Sequence, residues 1–318
     1  VNDVLRLSRG MTFKSAITGL NLGGGKAVII GDAKTDKTPA LMKRFGEFVH
    51  SLGGKYITAE DVGMETSDMD TVREVTPYVT GISESQGGAG NPSPITAYGV
   101  FMGIKASAKF KYGTDDLEGK KVLVQGIGHV GETLVEYLSG EGAEVYITDI
   151  NEERLEEVSK KYGAHIFTDR DIYGADMDIY APCALGGTIN DETISQLKCK
   201  IVNGAANNQL KEDRHGQILM DKGILYSPDY LINAGGLMNV SIEFEGWNDY
   251  KSRRMIDKIY DTTMKIFVMS EERNIPVNKA TDALAEERLE SIKKIQTTYL
   301  GKISGHRFPG TKVRHNKL

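Results

Sequence analysis

The stretch Lys121-Val122-Leu123-Val124-Gln125-Gly126-Ile127-Gly128-His129-Val130-Gly131 decides the fold class of this chain. Its apolar first half predicts a buried strand, and the GxGxxG pattern that follows stands directly before a helical stretch. A second predicted strand, residues 143–148, ends at Asp149, which lies 18 positions after Gly131 (149 − 131). This order predicts the first βαβ unit of a doubly wound sheet that binds a dinucleotide: a strand, a glycine-rich turn, a helix, a second strand and an acid.

The glycine-rich turn can be interpreted residue by residue. Its first glycine allows the tight turn, the second admits a pyrophosphate, and the third lets helix and strand pack closely. Free N–H groups at the helix start attract the anion. The Asp149 carboxylate is expected to bind the adenosine ribose hydroxyls and to repel a 2′-phosphate, which favours NAD over NADP. The cofactor contacts expected here are Gly126, Gly128, His129, Val130, Gly131, Asp149 and Ile150, with His129 incidental to catalysis.

Further predicted strands alternate with helices, at residues 164–167, 178–181, 200–203 and 224–226. This alternation predicts a parallel sheet with helices on both faces. Small or amide residues follow three predicted strand ends, at residues 182–184, 205–208 and 233–236. Such residues are also ordinary turn formers. Three clusters at one sheet edge nevertheless favour a cofactor cleft.

Composition limits the classes of function. At 318 residues the chain is long enough for two domains, and its net charge of −5 gives no case for binding nucleic acid or an anionic membrane. Cys183 and Cys199 form no CxxC pattern and the six histidines no HExxH pattern, so we expect no metal. No signal peptide or membrane span is predicted, so we expect a cytoplasmic protein. Because the chain starts at Val1 inside a helical pattern, we also expect an N-terminal segment to be missing from this sequence.

A second constellation is centred on Gly23-Gly24-Gly25-Lys26, followed by an apolar run at residues 27–30 that predicts a buried strand. A turn without side chains lets a small ligand touch the backbone, and burial lowers the pKa of a lysine until it can act as a base. The alternative is a glycine-rich turn with a solvated lysine. Lys14, near the end of a helix over residues 2–17, and the acids Glu60 and Asp61, after a short strand at residues 56–59, favour the catalytic interpretation.

The connecting segments give local predictions. Thr38 and Ser67 are expected to cap helices. Residues 81–94 are rich in glycine and proline and are the best hinge candidate, directly before a long helix that reaches about Tyr112. The basic tail from Gly301 onward is expected to be solvated and poorly ordered.

Six motifs occur in unbroken order: GGGK, AEDVG at residues 59–63, GNPSP at residues 90–94, GIGHVG, ANNQL at residues 206–210 and NAGG at residues 233–236. With them the chain resembles the amino-acid dehydrogenase superfamily that acts on glutamate, leucine, phenylalanine and valine, and is most similar to the leucine branch. The resemblance implies an α/β fold with two domains separated by a cleft. Residues 86–275 would form a Rossmann-type, doubly wound NAD-binding domain, and residues 1–85 plus 276–318 an α/β substrate and oligomerisation domain.

The resemblance also implies roles for individual residues. Lys14 would bind the substrate α-carboxylate, Lys26 would polarise the carbonyl and activate water, and Asp61 would shuttle a proton to and from the substrate nitrogen. Thr96, Ala206, Asn207, Asn208 and Asn233 would lie near the nicotinamide and its ribose, with Asn208 also close to the substrate. Ala59, Leu237 and Val240 would line the pocket for the substrate side chain, although Leu237 and Val240 could simply be core residues.

The activity so implied is reversible, NAD-dependent oxidative deamination of a branched-chain L-amino acid (leucine, also valine or isoleucine) to the 2-oxo acid, ammonium and NADH. Because neighbouring lysines repel, we expect Lys14, tied to a carboxylate, to stay charged and Lys26 to become the base. An apolar pocket offers no cation for the γ-carboxylate of glutamate but does not exclude phenylalanine. Three alternatives stay open: a phenylalanine dehydrogenase, a glutamate dehydrogenase, or a homologue that binds NAD without catalysis. The resemblance suggests a large homo-oligomer, an octamer in the family.

Overall fold

A six-stranded, all-parallel sheet forms the centre of the computed structural model, which describes residues 2–168 and 171–295. The strand order is β3-β2-β1-β4-β5-β6, which is that of a doubly wound sheet, so the predicted α/β fold class is confirmed. In register, Val122 of β1 lies beside Val145 of β2 and Ile179 of β4. The strands are β1 (Lys121–Gln125), β2 (Glu144–Thr148), β3 (His165–Ile166), β4 (Ile179–Pro182), β5 (Ile201–Val202) and β6 (Leu225–Tyr226).

Helices cover both faces of the sheet and build the rest of the described chain. They are α1 (Asn2–Ile17), α2 (Pro39–Ser51), α3 (Thr66–Arg73), α4 (Ser93–Tyr112), α5 (His129–Gly140), α6 (Glu152–Tyr162), α7 (Arg214–Asp221), α8 (Asp229–Ile232), α9 (Gly235–Ile242), α10 (Asp249–Arg273) and α11 (Val277–Ile295). Short 3₁₀ helices lie at Glu84–Gln86 and Glu243–Glu245. In this described part, no helix is both long enough and apolar enough to cross a bilayer. The predicted basic tail lies outside the described residues.

The apolar run of β1 fills two cores because a strand presents alternate residues to opposite faces. Val122 and Val124 enter one buried cluster together with α4 and α5, and Leu123 enters a second cluster with Tyr180 and Leu219. A strand buried on both faces needs continuous apolar character, which this stretch has. The central strand is thereby fixed, and with it the position of the glycine-rich turn at its carboxyl end.

The beginning and the end of the described chain pack together beside β6. On α1, Phe13 and Ile17 share a buried cluster with Leu231 of α8 and with apolar residues of α9, α10 and α11. Helix α1 packs directly on α11 and on α8. This contact brings Lys14 to the end of the sheet where β6 stops.

The predicted strand over residues 27–30 is wrong. These residues form no ladder in the described structure, and Val28 and Ile30 are 54% and 98% exposed. Ile29 packs inward, against the cluster around Met42 that joins α2 and α3. The side chains alternate as in a strand, but the backbone has no neighbouring strand in the described residues. The predicted strand at residues 56–59 is reduced to a single bridge between Thr58 and Val79.

The predicted helix caps have mixed outcomes. Thr38 caps α2 as predicted, since its hydroxyl accepts from the backbone N–H of Leu41 at 3.2 Å. The cap predicted at Ser67 is wrong, because α3 already begins at Thr66. Glu65 is the capping residue there, in a reciprocal pair with Asp68, whose carboxylate accepts from the Glu65 N–H at 2.8 Å.

Candidate active site

The GGGK turn packs closely against α1 because its glycines have no side chains. A Cβ on Gly24 would overlap the backbone of Ser8 and Thr12 on α1. The hydroxyl of Ser15 donates to the Gly23 carbonyl at 3.2 Å. Gly24 is therefore required by a close approach of the chain to itself, whereas the sequence analysis explained the glycines by the approach of a ligand. The contact places Lys26 beside the last turns of the helix that carries Lys14.

Lys26 and Asp61 form a direct ion pair, with side chains 21% and 47% exposed. Asp61 lies at the start of a turn, where its other carboxylate oxygen accepts from the Val62 N–H at 2.8 Å. The neighbouring Glu60 is engaged elsewhere, since it accepts from the Thr66 hydroxyl at 2.9 Å. Of these two adjacent acids, Asp61 is the one that faces the lysine.

Lys14 is half-buried and has a shifted pKa. Burial and then the nearby charge of Lys26 lower the pKa of Lys14 to about 8, against an opposing effect of Asp229. The sequence predicts that Lys14 keeps its charge and that the lowered pKa belongs to Lys26. In the structure, Lys14 is itself shifted toward the neutral form. A bound carboxylate would favour the charged form and reverse this shift.

Asp229 is a charged group that the sequence analysis missed. It begins α8, three residues after β6 ends, and is 8% exposed. Burial raises the pKa of Asp229, while hydrogen bonds from Gln209 and Tyr230 and the charge of Lys14 lower it. An acid just after the carboxyl end of a parallel strand is the sequence signal that could have identified it.

The glycines of the GxGxxG turn have distinct surroundings. Gly126 has a φ of +95°, and a Cβ there would lie 2.7 Å from that of Ala184. A Cβ on Gly131 would overlap the carbonyl of Gly126, so α5 packs against the turn only without a side chain. At Gly128 a Cβ would meet nothing within 4 Å, and no side chain caps α5 there. The turn thus has open space at the middle glycine, where a pyrophosphate would fit at the helix N-terminus.

Asp149 is fixed to the turn at the end of β2. Its carboxylate accepts from the backbone N–H groups of Ile127 at 2.8 Å and Asn151 at 3.0 Å. Each oxygen keeps a lone pair, so the carboxylate can still accept from ribose hydroxyls. The adjacent Ile150 is fully exposed and available to a ligand.

Residues 233–236 follow α8 and not a strand end, so that part of the prediction is wrong, but their amide meets those after β5. The side-chain amide of Asn233 donates to the Ala205 carbonyl at 3.1 Å and to Asn207 Oδ1 at 2.7 Å. Its own Oδ1 is buried without a hydrogen-bond partner. Asn208 has a φ of +52°, and Thr96 lies beside Gly236, where a Cβ would be 3.0 Å from the threonine hydroxyl. An orphaned buried carbonyl oxygen fits a donor such as the nicotinamide carboxamide.

The three predicted pocket residues differ in their surroundings. Leu237 and Val240 are half-buried on α9, and Leu237 packs against the cluster that contains Phe13. Ala59 is exposed after the Thr58 bridge. Leu237 therefore contributes to the core, the alternative that the sequence left open, and the pocket assignment of all three stays a prediction.

Comparison with known proteins fits this geometry. Residues 1–78 match the family described as "Glu/Leu/Phe/Val dehydrogenase, dimerisation domain", and residues 87–151 and 146–296 match "Glutamate/Leucine/Phenylalanine/Valine dehydrogenase". The leucine dehydrogenase of Bacillus cereus is 52% identical over 300 residues, which cover 94% of this chain and 82% of the relative. The chain belongs to the glutamate/leucine/phenylalanine/valine dehydrogenase family.

Other members of the glutamate/leucine/phenylalanine/valine dehydrogenase family are also similar. The phenylalanine dehydrogenase of Caldalkalibacillus thermarum is 45% identical over 304 residues, covering 94% of this chain and 82% of the relative. The crystal structure of L-tryptophan dehydrogenase from Nostoc punctiforme superposes with a TM-score of 0.81 at 43% identity, covering 92% of this chain and 84% of that one. Family membership and fold are therefore shown by sequence and structure independently.

Proposed function

We propose that this chain catalyses the reversible, NAD-dependent oxidative deamination of a branched-chain L-amino acid to the 2-oxo acid, ammonium and NADH. The observation that carries the proposal is the meeting of Lys26 with Asp61, close to the cation Lys14. Higher identity to leucine dehydrogenase (52%) than to phenylalanine dehydrogenase (45%) supports an aliphatic substrate.

The proposed mechanism assigns one task to each charged group. Lys14 binds the substrate α-carboxylate and is driven toward its charged form by doing so. Asp61 holds the substrate ammonium and later moves a proton to and from the substrate nitrogen. Lys26 polarises the carbonyl as an ammonium and, after passing its proton to Asp61, deprotonates the water that attacks the iminium. The direct contact between Lys26 and Asp61 provides a short path for the proton between them.

The cofactor residues would hold NAD along the sheet edge. The turn from Gly126 to Gly131 would take the pyrophosphate, and Asp149 the ribose hydroxyls. The amide group around Asn233 and Asn207 would hold the nicotinamide end. When bound, NAD would supply the acceptor for the hydride of the substrate α-carbon; the protein contributes position and a dry environment. The negative charge of Asp149 supports NAD over NADP.

The proposed enzyme has two domains, residues 86–275 and residues 1–85 plus 276–318, with a hinge in residues 81–94. Gly81 and Gly90 have φ values of +73° and +64°, and the buried carboxylate of Glu243 accepts from the N–H of Ala89 at 2.8 Å. Closure about this segment would exclude water from the site. The match of residues 1–78 to a family described as a dimerisation domain supports a homo-oligomer.

A panel assay tests the proposed function. Leucine, valine, isoleucine, phenylalanine and glutamate are each supplied with NAD, and NADH is followed by its absorbance. We expect leucine, valine and isoleucine to be turned over with the highest kcat/KM and glutamate to be inert. Preference for phenylalanine would replace the proposed substrate class, and NADH binding without turnover of any amino acid would support a non-catalytic homologue.

A further inference from the structure

Asp229 has a buried carboxylate that the proposed mechanism does not use. Its Oδ2 accepts from the backbone N–H of Gln209 at 2.9 Å and its Oδ1 from that of Tyr230 at 2.6 Å. A carboxylate removed from water costs free energy unless it is hydrogen-bonded and faces a cation. Besides these two hydrogen bonds, Asp229 therefore requires a nearby cation.

The cation that faces Asp229 is Lys14. Helix α1 packs on α8, so that Phe13 and Ile17, on either side of Lys14 in the sequence, share a buried cluster with Leu231. The charge of Asp229 raises the pKa of Lys14, and the charge of Lys14 lowers the pKa of Asp229. Each charge therefore opposes the effect of burial on the other.

The same carboxylate is also attached to the loop on the cofactor side. Gln209, which donates its N–H to Asp229, directly follows Asn207 and Asn208. The side chain of Gln209 closes this loop by donating to the carbonyls of Gly204 at 2.6 Å and Ala206 at 3.0 Å. One acidic side chain thus joins the lysine on α1 to the loop that carries the two asparagines.

We propose that Asp229 is a positioning residue, which keeps Lys14 charged for the substrate carboxylate and anchors it to the loop of Asn207 and Asn208. The inference rests on the proposed deamination. Asp229 acts through Lys14 and through the backbone of Gln209, and it takes no part in the chemistry itself.

Other titratable groups surround this pair. Tyr226 lies at the end of β6 and Tyr230 on α8, and burial raises the pKa of both above the ordinary tyrosine value. Both stay neutral in the range where Lys14 titrates. Lys26 faces Lys14 from the GGGK turn, and from α11 Asp282 accepts from the Tyr230 hydroxyl at 2.8 Å. Asp229 is therefore the acid whose charge directly supports Lys14.

The proposal is tested by calorimetry. The full chain, saturated with NADH, is titrated with 4-methylpentanoate, a carboxylate that cannot be turned over. For the unaltered chain we expect affinity to fall as pH rises past about 8, as Lys14 loses its proton. In Asp229→Asn we expect affinity at neutral pH to be about tenfold weaker and the fall to begin at lower pH. Asp282→Asn is the matched control and should leave the pH of the fall unchanged.

A double substitution separates positioning from general damage to the fold. In a Lys14→Gln background, Asp229→Asn should weaken carboxylate binding no further, because the lost charge acts through the lysine while the asparagine carbonyl oxygen can still accept from the Gln209 N–H. Independent, additive losses would contradict the proposal. With amino-acid substrate, Asp229→Asn should raise KM more than it lowers kcat.

The two proposals fail in distinguishable ways. If the unaltered chain deaminates amino acids but Asp229→Asn matches its carboxylate affinity and pH profile, only the proposal on Asp229 is wrong. If the unaltered chain turns over no amino acid, the proposed function is wrong. The pKa of Lys14 can then still be read by NMR with ¹³Cε-labelled lysine, assigned by its loss in Lys14→Gln. A lower pKa in Asp229→Asn supports the pairing, and an unchanged pKa overturns it.

Discussion

The cofactor side and the substrate side of the candidate active site are supported by different kinds of structure. On the cofactor side, β1 is hydrogen-bonded to β2 and β4, buried on both faces, and leads directly into the glycine-rich turn. On the substrate side, Lys26 and Asp61 lie on irregular backbone, near one isolated bridge between Thr58 and Val79. The first is fixed by a ladder, and the second by a few close contacts between distant segments.

This difference has a consequence for how each side fails. When one hydrogen bond between strands is lost, the neighbouring bonds still hold the strand in place. The cofactor turn should therefore tolerate single substitutions in its surroundings. In the described residues no ladder supports the substrate side, which is held by the packing of Gly24 against α1, the Ser15–Gly23 hydrogen bond and the ion pair between Lys26 and Asp61. We therefore expect single substitutions there to remove turnover while NADH binding survives.

The largest expected effect is that of Lys26→Ala. Turnover should fall by about 10²–10⁴-fold or more, because the proposed base and carbonyl-polarising cation is gone. Affinity for NADH, measured by its fluorescence, should stay close to the wild-type value. Normal turnover would show that Lys26 has no part in the mechanism. A parallel loss of NADH binding would show that the cofactor side and the substrate side do not fail independently.

Asp61→Asn should have the next largest effect. An amide cannot take the proton from the substrate nitrogen, so kcat for deamination should fall by about 10²-fold or more with folding intact. Glu60→Gln is the matched control, since Glu60 accepts from the Thr66 hydroxyl, whereas Asp61 forms the ion pair with Lys26. Circular dichroism checks the fold of both variants. A wild-type rate in Asp61→Asn together with loss in Glu60→Gln would transfer the role to Glu60.

Gly24→Ala tests the packing that brings the lysines together. Its Cβ would overlap the backbone of α1, and such overpacking costs about 1–3 kcal/mol of unfolding free energy. We expect a lower midpoint in urea and a higher KM for the amino acid. The neighbouring Gly23→Ala, whose Cβ meets nothing within 4 Å, should match the wild type. Equal behaviour of the two variants would show that the close approach to α1 does not position Lys26.

Gly128→Ala tests the open space in the cofactor turn. Because its Cβ meets no protein atom within 4 Å, the variant should unfold at the wild-type midpoint. NADH affinity should fall by about tenfold, since the methyl group occupies the approach of the pyrophosphate. A Gly131→Ala variant should instead lose stability, because that Cβ overlaps the Gly126 carbonyl. Undiminished NADH affinity in Gly128→Ala would show that the pyrophosphate does not bind at Gly128.

The smallest expected effect is that of Asp149→Ala. Without the carboxylate, repulsion of a 2′-phosphate is lost, and the ratio of kcat/KM for NAD to that for NADP should fall by roughly tenfold. The backbone N–H of Ile127 also loses its acceptor, so cofactor affinity should weaken moderately. Unchanged discrimination would show that another group sets the preference.

The sequence was most informative where structure is local. The strand before Gly126, the helix after it and Asp149 at the next strand end follow from periodicity and spacing, and the structure confirms their arrangement. The buried strand predicted at residues 27–30 failed because periodicity describes side chains and does not reveal whether a partner strand is present.

The sequence could not give the long-range pairs. Asp229 is 215 positions after Lys14 (229 − 14), and only the packing of α1 on α8 shows that they face each other. The need for glycine at position 24 likewise comes from a helix elsewhere in the chain. Such relations depend on tertiary packing, which no local pattern encodes.

Transfer of the α-hydrogen is the most direct test of the central claim, that the site built from Lys14, Lys26 and Asp61 oxidises an amino acid at its α-carbon with NAD. L-leucine deuterated at that carbon is incubated with the chain and NAD, and the products are examined by NMR. The account predicts deuterium at C4 of the nicotinamide ring of NADH, in amounts equal to the 2-oxo acid formed. NADH without deuterium, or 2-oxo acid formed without NADH, would contradict it.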